Sequence, residues 1–281
     1  MHYREHAPPE PLRPFVRCLW TLDDPDPRRD RPAEPVVPDG SMELVFHLGD
    51  PFRRLDEGVQ PLALVAGQLT GPLHLQPTGR VHALGLRFHP AGASLFLREP
   101  LHRLAGGTPP LERFWGRDAG ELLDRLAAAR GARARLELVA RAFLRRLDRA
   151  RPPAVVEGVV RRIEERHGIV GIDELAREAG VSRRTLERAF ADHVGIGPKV
   201  LCRIARFQRA LRLLSAAPAA GGAAVALECG YADQAHLVRE FHALAGAPPG
   251  RFLGGENRLA ELFATTGRNE ALRPSDASPG A

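Results

Sequence analysis

Lysine is almost missing from this 281-residue chain: of 40 lysines and arginines together, only Lys199 is a lysine. Cysteine is nearly as scarce, with Cys18, Cys202 and Cys229 scattered and odd in number. They form no CxxC pair, so neither a disulfide framework nor a thiolate zinc site is indicated. No long apolar run offers a membrane-spanning helix. The opening MHYREHAPPEP is polar and proline-rich and does not resemble a secretory signal, so a cytoplasmic location is expected. Also missing are the G-x-S-x-G nucleophile elbow, the P-loop and the GxGxxG fingerprint. No catalytic residue is assigned, and no cofactor is expected.

What is present is a basic, globular composition. The net charge is +6, with 44% hydrophobic and 26% charged residues. A positive balance suits an anionic partner, although it also fits a basic protein with no such partner. The arginine bias reads as the habit of a GC-rich bacterial genome. It has chemical value all the same, because a planar guanidinium grips phosphate or guanine through two parallel hydrogen bonds.

The most informative feature is an internal duplication. IDELAREAGVSRRTLERAF (172–190) and GAAVALECGYADQAHLVREF (222–241) repeat one pattern about 51 positions apart. Each has a small-residue helix, a glycine (Gly180, Gly230), a polar turn and a second helix ending in phenylalanine (Phe190, Phe241). Glycine supplies the positive φ of a sharp turn, and alanine lets the two helices cross closely. Leu186 pairs with Leu237, Arg188 with Arg239, Gly195 with Gly246 and Pro198 with Pro249. Two helix-turn-helix units joined by a helix-length spacer point to sequence-directed DNA binding.

On these residues the segment 154–253 resembles the DNA-binding domain of the AraC/XylS transcriptional regulators. The diagnostic stretch GYADQAHLVREFHALAGAPPGRF keeps Gly230, Tyr231, Asp233, Gln234, Leu237, Arg239, Phe241, Gly246, Pro249 and Phe252. RIARFQRALRLL is similar to the family's linker helix, with Arg206, Ala210, Leu213 and Leu214 in place. The sequence departs from the pattern at Ala235, His242 and Gly221-Gly222. The resemblance implies two helix-turn-helix units on a long helix and a regulator of transcription. It also brings in the family's methyl-transferring repair regulators, but Cys18 in VRCLW lacks their cysteine-rich surroundings.

Helical stepping from Leu186 turns Ala189 and Phe190 inward and Arg184 and Arg188 outward. Ser182 is the expected N-cap, Arg183 suits phosphate, and Glu187 suits a cytosine amino group or the orienting of Arg188. In the second unit Asp233 is the N-cap and Gln234 lies at the leading turn. Leu237, Glu240 and Phe241 turn inward there, while Ala235, Val238, Arg239 and His242 turn outward. The candidate DNA-binding residues are therefore Ser182, Arg183, Arg184, Glu187, Arg188, Gln234, Ala235, Val238, Arg239 and His242. A spacer helix over 198–217 should bury Val200, Ile204, Phe207, Leu211 and Leu214 and leave Arg203, Arg206, Arg209 and Arg212 to salt bridges or solvent.

The N-terminal half says less. MELVFHLG, LALVAG, PLHLQ and VHALGLRFH read as strands separated by turns, hence a small β-barrel or sandwich, cupin-like as in many effector domains of this family. Leu136, Val139, Phe143 and Leu147 form an amphipathic helix that either caps the barrel or pairs with a twin. Arg149 to Pro153 marks a break. The fold class is thus α+β in two domains, a cupin-like β-domain with helices followed by an all-α domain. The expected boundaries are 1–150 for an effector and dimerisation domain and 154–254 for the DNA-binding domain, with a disordered tail over 265–281.

His47, His74, His82 and His89 with Glu43 raise a metal-cupin reading, but the HxH spacing is missing and no metal is assigned. Candidate pocket residues are Leu84, Leu86 and Phe88 or their neighbours. The expected partners are double-stranded DNA and a second copy of the chain, with a small-molecule effector and RNA polymerase left open and no membrane. A constitutive regulator whose barrel only dimerises, and a cupin enzyme fused to a DNA-binding module, remain as alternatives.

Overall fold

The computed structural model describes residues 1–147, 152–216, 221–255 and Leu259. Most of the expected break at 149–153 and the whole expected tail at 265–281 lie outside the described residues.

The β-domain is built from two antiparallel sheets. Strands β1 (His2–His6), β2 (Val16–Asp24), β4 (Glu43–His47), β7 (Ala63–Ala66) and β9 (Val81–Phe88) form the larger, in the order β1-β2-β9-β4-β7. Strands β3 (Glu34–Val36), β5 (Phe52–Arg54), β6 (Gly58–Val59) and β8 (Leu73–Pro77) form the smaller, in the order β3-β8-β5-β6. The four strands expected from alternation are β4, β7, β8 and β9.

The period-2 geometry of a strand sends alternate side chains to opposite faces, and the larger sheet uses both. One face carries Leu44, Phe46, Val65, Leu84, Leu86 and Phe88 into a core shared with helices. These are α1 (Ser94–Leu97), α2 (Glu112–Trp115), α3 (Arg117–Ala128) and α4 (Ala132–Arg146). Phe143 of α4 is fully buried there, with its ring 4.8 Å from that of Phe96 and 5.1 Å from that of Trp115. The apolar stripe of α4 therefore caps its own sheet. The opposite face carries Cys18, Trp20, Leu22, Val81 and Ala83 against Phe52 of the smaller sheet. Gly85 makes room for the indole of Trp20, because a Cβ at this position would lie 2.4 Å from the Trp20 Cζ2 atom.

The helical domain begins with α5 (Ala154–Glu165), which buries Val156, Val159, Val160 and Ile163. Helices α6 (Ile172–Glu178) and α7 (Arg183–His193) make the first helix-turn-helix unit. Helix α8 (Pro198–Ala216) follows, then α9 (Gly222–Glu228) and α10 (Gln234–Ala245) as the second unit, and α11 (Pro249–Leu253). The first part of α8 puts Leu201, Cys202 and Ile204 into the core of the first unit. Its second part puts Phe207, Ala210, Leu211 and Leu214 into the core of the second. Val200, expected inside, is only half-buried. Among the described residues no helix is long and apolar enough to cross a membrane.

Gly85→Ala should lower stability by about 1–3 kcal/mol through overpacking. Trp20→Leu in the same chain should recover part of that loss, so a urea-denaturation double-mutant cycle will show clear coupling between the two positions.

Candidate functional site

The two turns repeat one geometry. Gly180 and Gly230 adopt φ of 66° and 72°, the left-handed region that glycine enters without steric penalty. Each second helix is then capped by its own side chain. Ser182 Oγ accepts from the amide of Thr185 at 3.1 Å, and an Asp233 carboxylate oxygen accepts from the amide of His236 at 2.6 Å. Such caps hold the first turn, where a recognition helix meets a groove. Beneath them Leu186 and Phe190, and Leu237 and Phe241, are fully or almost fully buried.

The opposite faces are open. Ser182, Arg183, Arg184, Glu187 and Arg188 are exposed on the first unit, and Gln234, Ala235, Arg239 and His242 on the second, while Val238 is half-buried. Arg183 Nε donates to Glu187 at 2.9 Å and reaches Asp173 at 3.7 Å, so Glu187 orients Arg183 rather than Arg188. Among the described residues no ion pair engages Arg184, Arg188 or Arg239, which leaves their guanidinium groups available for an outside anion. Glu240, by contrast, faces inward and takes a two-point contact from Arg203 at 2.9 and 3.0 Å. Two more linker arginines are engaged: Arg209 pairs with Glu228 at 3.0 Å, and Arg206 lies over the Tyr231 ring.

A second site, a cavity of about 90 Å³, lies between the two sheets. Its walls include Trp20, Leu22, Val37, Leu73, Ala83 and Arg87, whereas Leu84, Leu86 and Phe88 belong to the core beneath the helices. The pocket residues of β9 are thus the neighbours of those three. Arg87 is fully buried, and its Nε lies 2.5 Å from Glu43 and 3.5 Å from Asp39, with Glu5 at 3.8 Å from Nη1. Burial works against the guanidinium charge, but Glu43 and Asp39 more than offset it, so Arg87 stays protonated. Burial also raises the Glu43 carboxyl, which Arg87 pulls the other way. The sequence carried a faint signal of this cluster, a lone arginine at an inward position of the apolar strand VHALGLRFH.

The histidines weighed as metal ligands, and not assigned as such, make other contacts. His47 is held by Gln60 at 3.2 Å, and His82 contacts Asp23 and Arg135. Among the described residues no group of three ligating side chains gathers to hold a metal. The Cys18 thiol is pushed up to about 12 by burial, which keeps it protonated and a poor nucleophile.

The loop after β3 belongs to both sites. Val36, Val37, Asp39 and Ser41 line the cavity, yet Val37 is buried in the core of the second unit with Phe207, Tyr231 and Phe241. The carbonyl of Pro38 accepts from Gln208 Nε2 of α8 at 2.7 Å. Further contacts tie the β-domain to α5 and α7, with Arg17 to Glu164 at 3.0 Å and His102 to Asp192 at 3.7 Å.

Comparison with known proteins agrees with this picture. Residues 175–254 match the model of a helix-turn-helix domain, and residues 4–110 match a domain of unknown function (DUF6597). No curated protein sequence matches the chain. Solved structures of ToxT from Vibrio cholerae are similar at 10–11% identity. One covers 84% of this chain and 99% of its own at a TM-score of 0.46. Another, from strain O395, covers 84% and 98% at 0.45. ToxT with an unsaturated fatty acid bound, from strain SCE256, covers 83% and 93% at 0.43. Fold and surface together define a two-domain, DNA-binding transcriptional regulator. Its C-terminal part carries a helix-turn-helix domain of the AraC type.

Burial lowers His47 to about 4, and burial with the nearby Arg17 charge lowers His89 to about 4. Both imidazoles are therefore neutral in the fold but titrate near their ordinary value once unfolded. Between these limits the unfolded chain binds more protons, so stability is full above about pH 6.5 and falls as the pH drops toward 4. From pH 7 to pH 5 the His47 contribution should fall by about 2 kcal/mol. Urea midpoints across that range, compared with His47→Gln, will show the loss shrink in the variant.

Proposed function

We propose that the two exposed helix faces read two successive major-groove segments of one operator, and that the N-terminal domain makes this reading responsive to a small molecule. The observation that carries the first part is the contrast among the arginines. Arg203 and Arg209 are spent in ion pairs, whereas Arg184, Arg188 and Arg239 stand on the exposed sides of capped helices. A guanidinium in that position matches the O6 and N7 acceptors of guanine. The 19 residues of α8 span about 28 Å, close to the roughly 34 Å between successive major-groove faces.

The two readers are unequal. Helix α7 presents Arg184 and Arg188, with Arg183 and Ser182 at its leading end for phosphate and Glu187 steadying Arg183. Helix α10 presents Gln234, Ala235, Val238, Arg239 and His242, and its small apolar side chains suit a thymine methyl. Each half-site would then join a guanine-containing segment to a thymine-rich one. Ligand response is supported by the shared loop, since Val37 and Asp39 face the cavity while Val37 and Pro38 hold the linker helix. The partners in this reading are double-stranded DNA, a small-molecule effector and a second copy of the chain, in the cytoplasm.

Selection of bound duplexes from a random pool should enrich a two-part sequence of this kind. Failure to enrich any sequence defeats the regulator reading. On the selected site Arg188→Ala or Arg239→Ala should each cost about 1–3 kcal/mol and relax preference at one segment. Equal losses on selected and random duplex would mark the residue as a phosphate contact.

A further inference from the structure

The cavity between the sheets has a chemistry of its own. Three carboxylates, Glu5, Asp39 and Glu43, surround the single guanidinium of Arg87. A further anion placed there would meet more negative charge than positive. One polar atom of the wall asks for a donor. His47 Nε2 donates to the Gln60 side-chain oxygen, so Nδ1, buried and without a hydrogen bond, is left as a bare acceptor. The Ser41 hydroxyl, which can donate or accept, is also buried without a partner among the described residues. His47 is 98% buried and Ser41 93% buried, so neither atom has water to satisfy it at the surface. A buried acceptor with no donor carries a desolvation cost that a bound ligand can relieve.

Part of the apolar wall comes from a residue far along the chain. Leu259 is fully buried, packs in the cluster of Trp20, Leu22, Phe52 and Ala83, and lines the cavity. Its amide donates to the Glu34 carboxylate of β3 at 2.8 Å. A residue beyond the second helix-turn-helix unit thus sits in the cavity of the β-domain. An engineered apolar cavity of about 150 Å³ holds benzene. The 90 Å³ here, enlarged by the space of a leucine side chain, suits a body of roughly six carbons.

We infer that this cavity takes a small molecule with an apolar body and a hydrogen-bond-donating head, an amine or a hydroxyl rather than a carboxylate. We infer also that its body competes with Leu259 for the same space. The inference rests on the N-terminal domain being an effector domain. It adds the chemical class of the effector and names Leu259 as a built-in competitor for the cavity.

Calorimetric titration of the full chain at pH 7 with hexylamine, 1-hexanol and hexanoate tests it. The amine and the alcohol should bind saturably, and hexanoate at least about tenfold more weakly. Leu259→Ala should tighten binding of both several-fold. Glu34→Ala, which removes only the carboxylate that holds the Leu259 amide, should act in the same direction and guards against a folding defect in the first variant. Hexanoate binding as tightly as hexylamine overturns the head-group assignment. Binding unchanged in both variants overturns the competition, and no binding of any of the three overturns the site. Duplex affinity measured in the same samples separates this inference from the regulator reading. If hexylamine binds but DNA preference is unmoved, the cavity assignment stands and ligand response falls.

Discussion

The continuous buried stripe of α8 is the constraint on which the exposed faces of α7 and α10 depend. One helix supplies Leu201, Cys202 and Ile204 to the first unit and Phe207, Leu211 and Leu214 to the second. Because these side chains are locked into two separate cores, the helix holds both readers on one rigid element. The edge-to-face contact of Phe207 with Phe241, 4.9 Å between ring centres, joins linker and recognition helix directly. Arg203 and Glu240 add a charged clasp at the flank of the same junction. Exposed arginines on α7 and α10 have a defined place only because this interior fixes their backbones.

Much of the helical half was legible in the sequence because its determinants are local. The glycines at positive φ, the Ser182 and Asp233 caps and the small residues before the turns act within a few positions of where they stand. The strands of the β-domain were half legible for the same reason. Alternation marked β4, β7, β8 and β9, but β2 is buried on both faces and carries a register shift between Val16 and Cys18, which blurs its period. Strand β1 is a polar edge strand with no apolar alternation to read.

What could not be read were contacts between distant positions. Gln208 and Pro38 are 170 positions apart, and Leu259 and Glu34 are 225 apart. No periodicity or motif announces such pairs. The Arg87 cluster shows an intermediate case. A charged residue inside an apolar strand signals an unusual environment, but only the sheet register brings Glu43 of β4 opposite Arg87 of β9. The same register explains why Glu43, first weighed as a metal ligand, serves instead as the partner of a guanidinium.

The loop between β3 and β4 has a consequence for how this chain divides. Val37 fills a place in the core of the helical domain, among Phe207, Leu211 and Tyr231, although it belongs to the other half of the polypeptide. A fragment cut near the proline pair at 152–153 would keep both helix-turn-helix units and yet leave a valine-sized hole beside the linker helix. The DNA-reading half is therefore complete in motif but not in packing, and the boundary of its function does not coincide with the boundary of its interior.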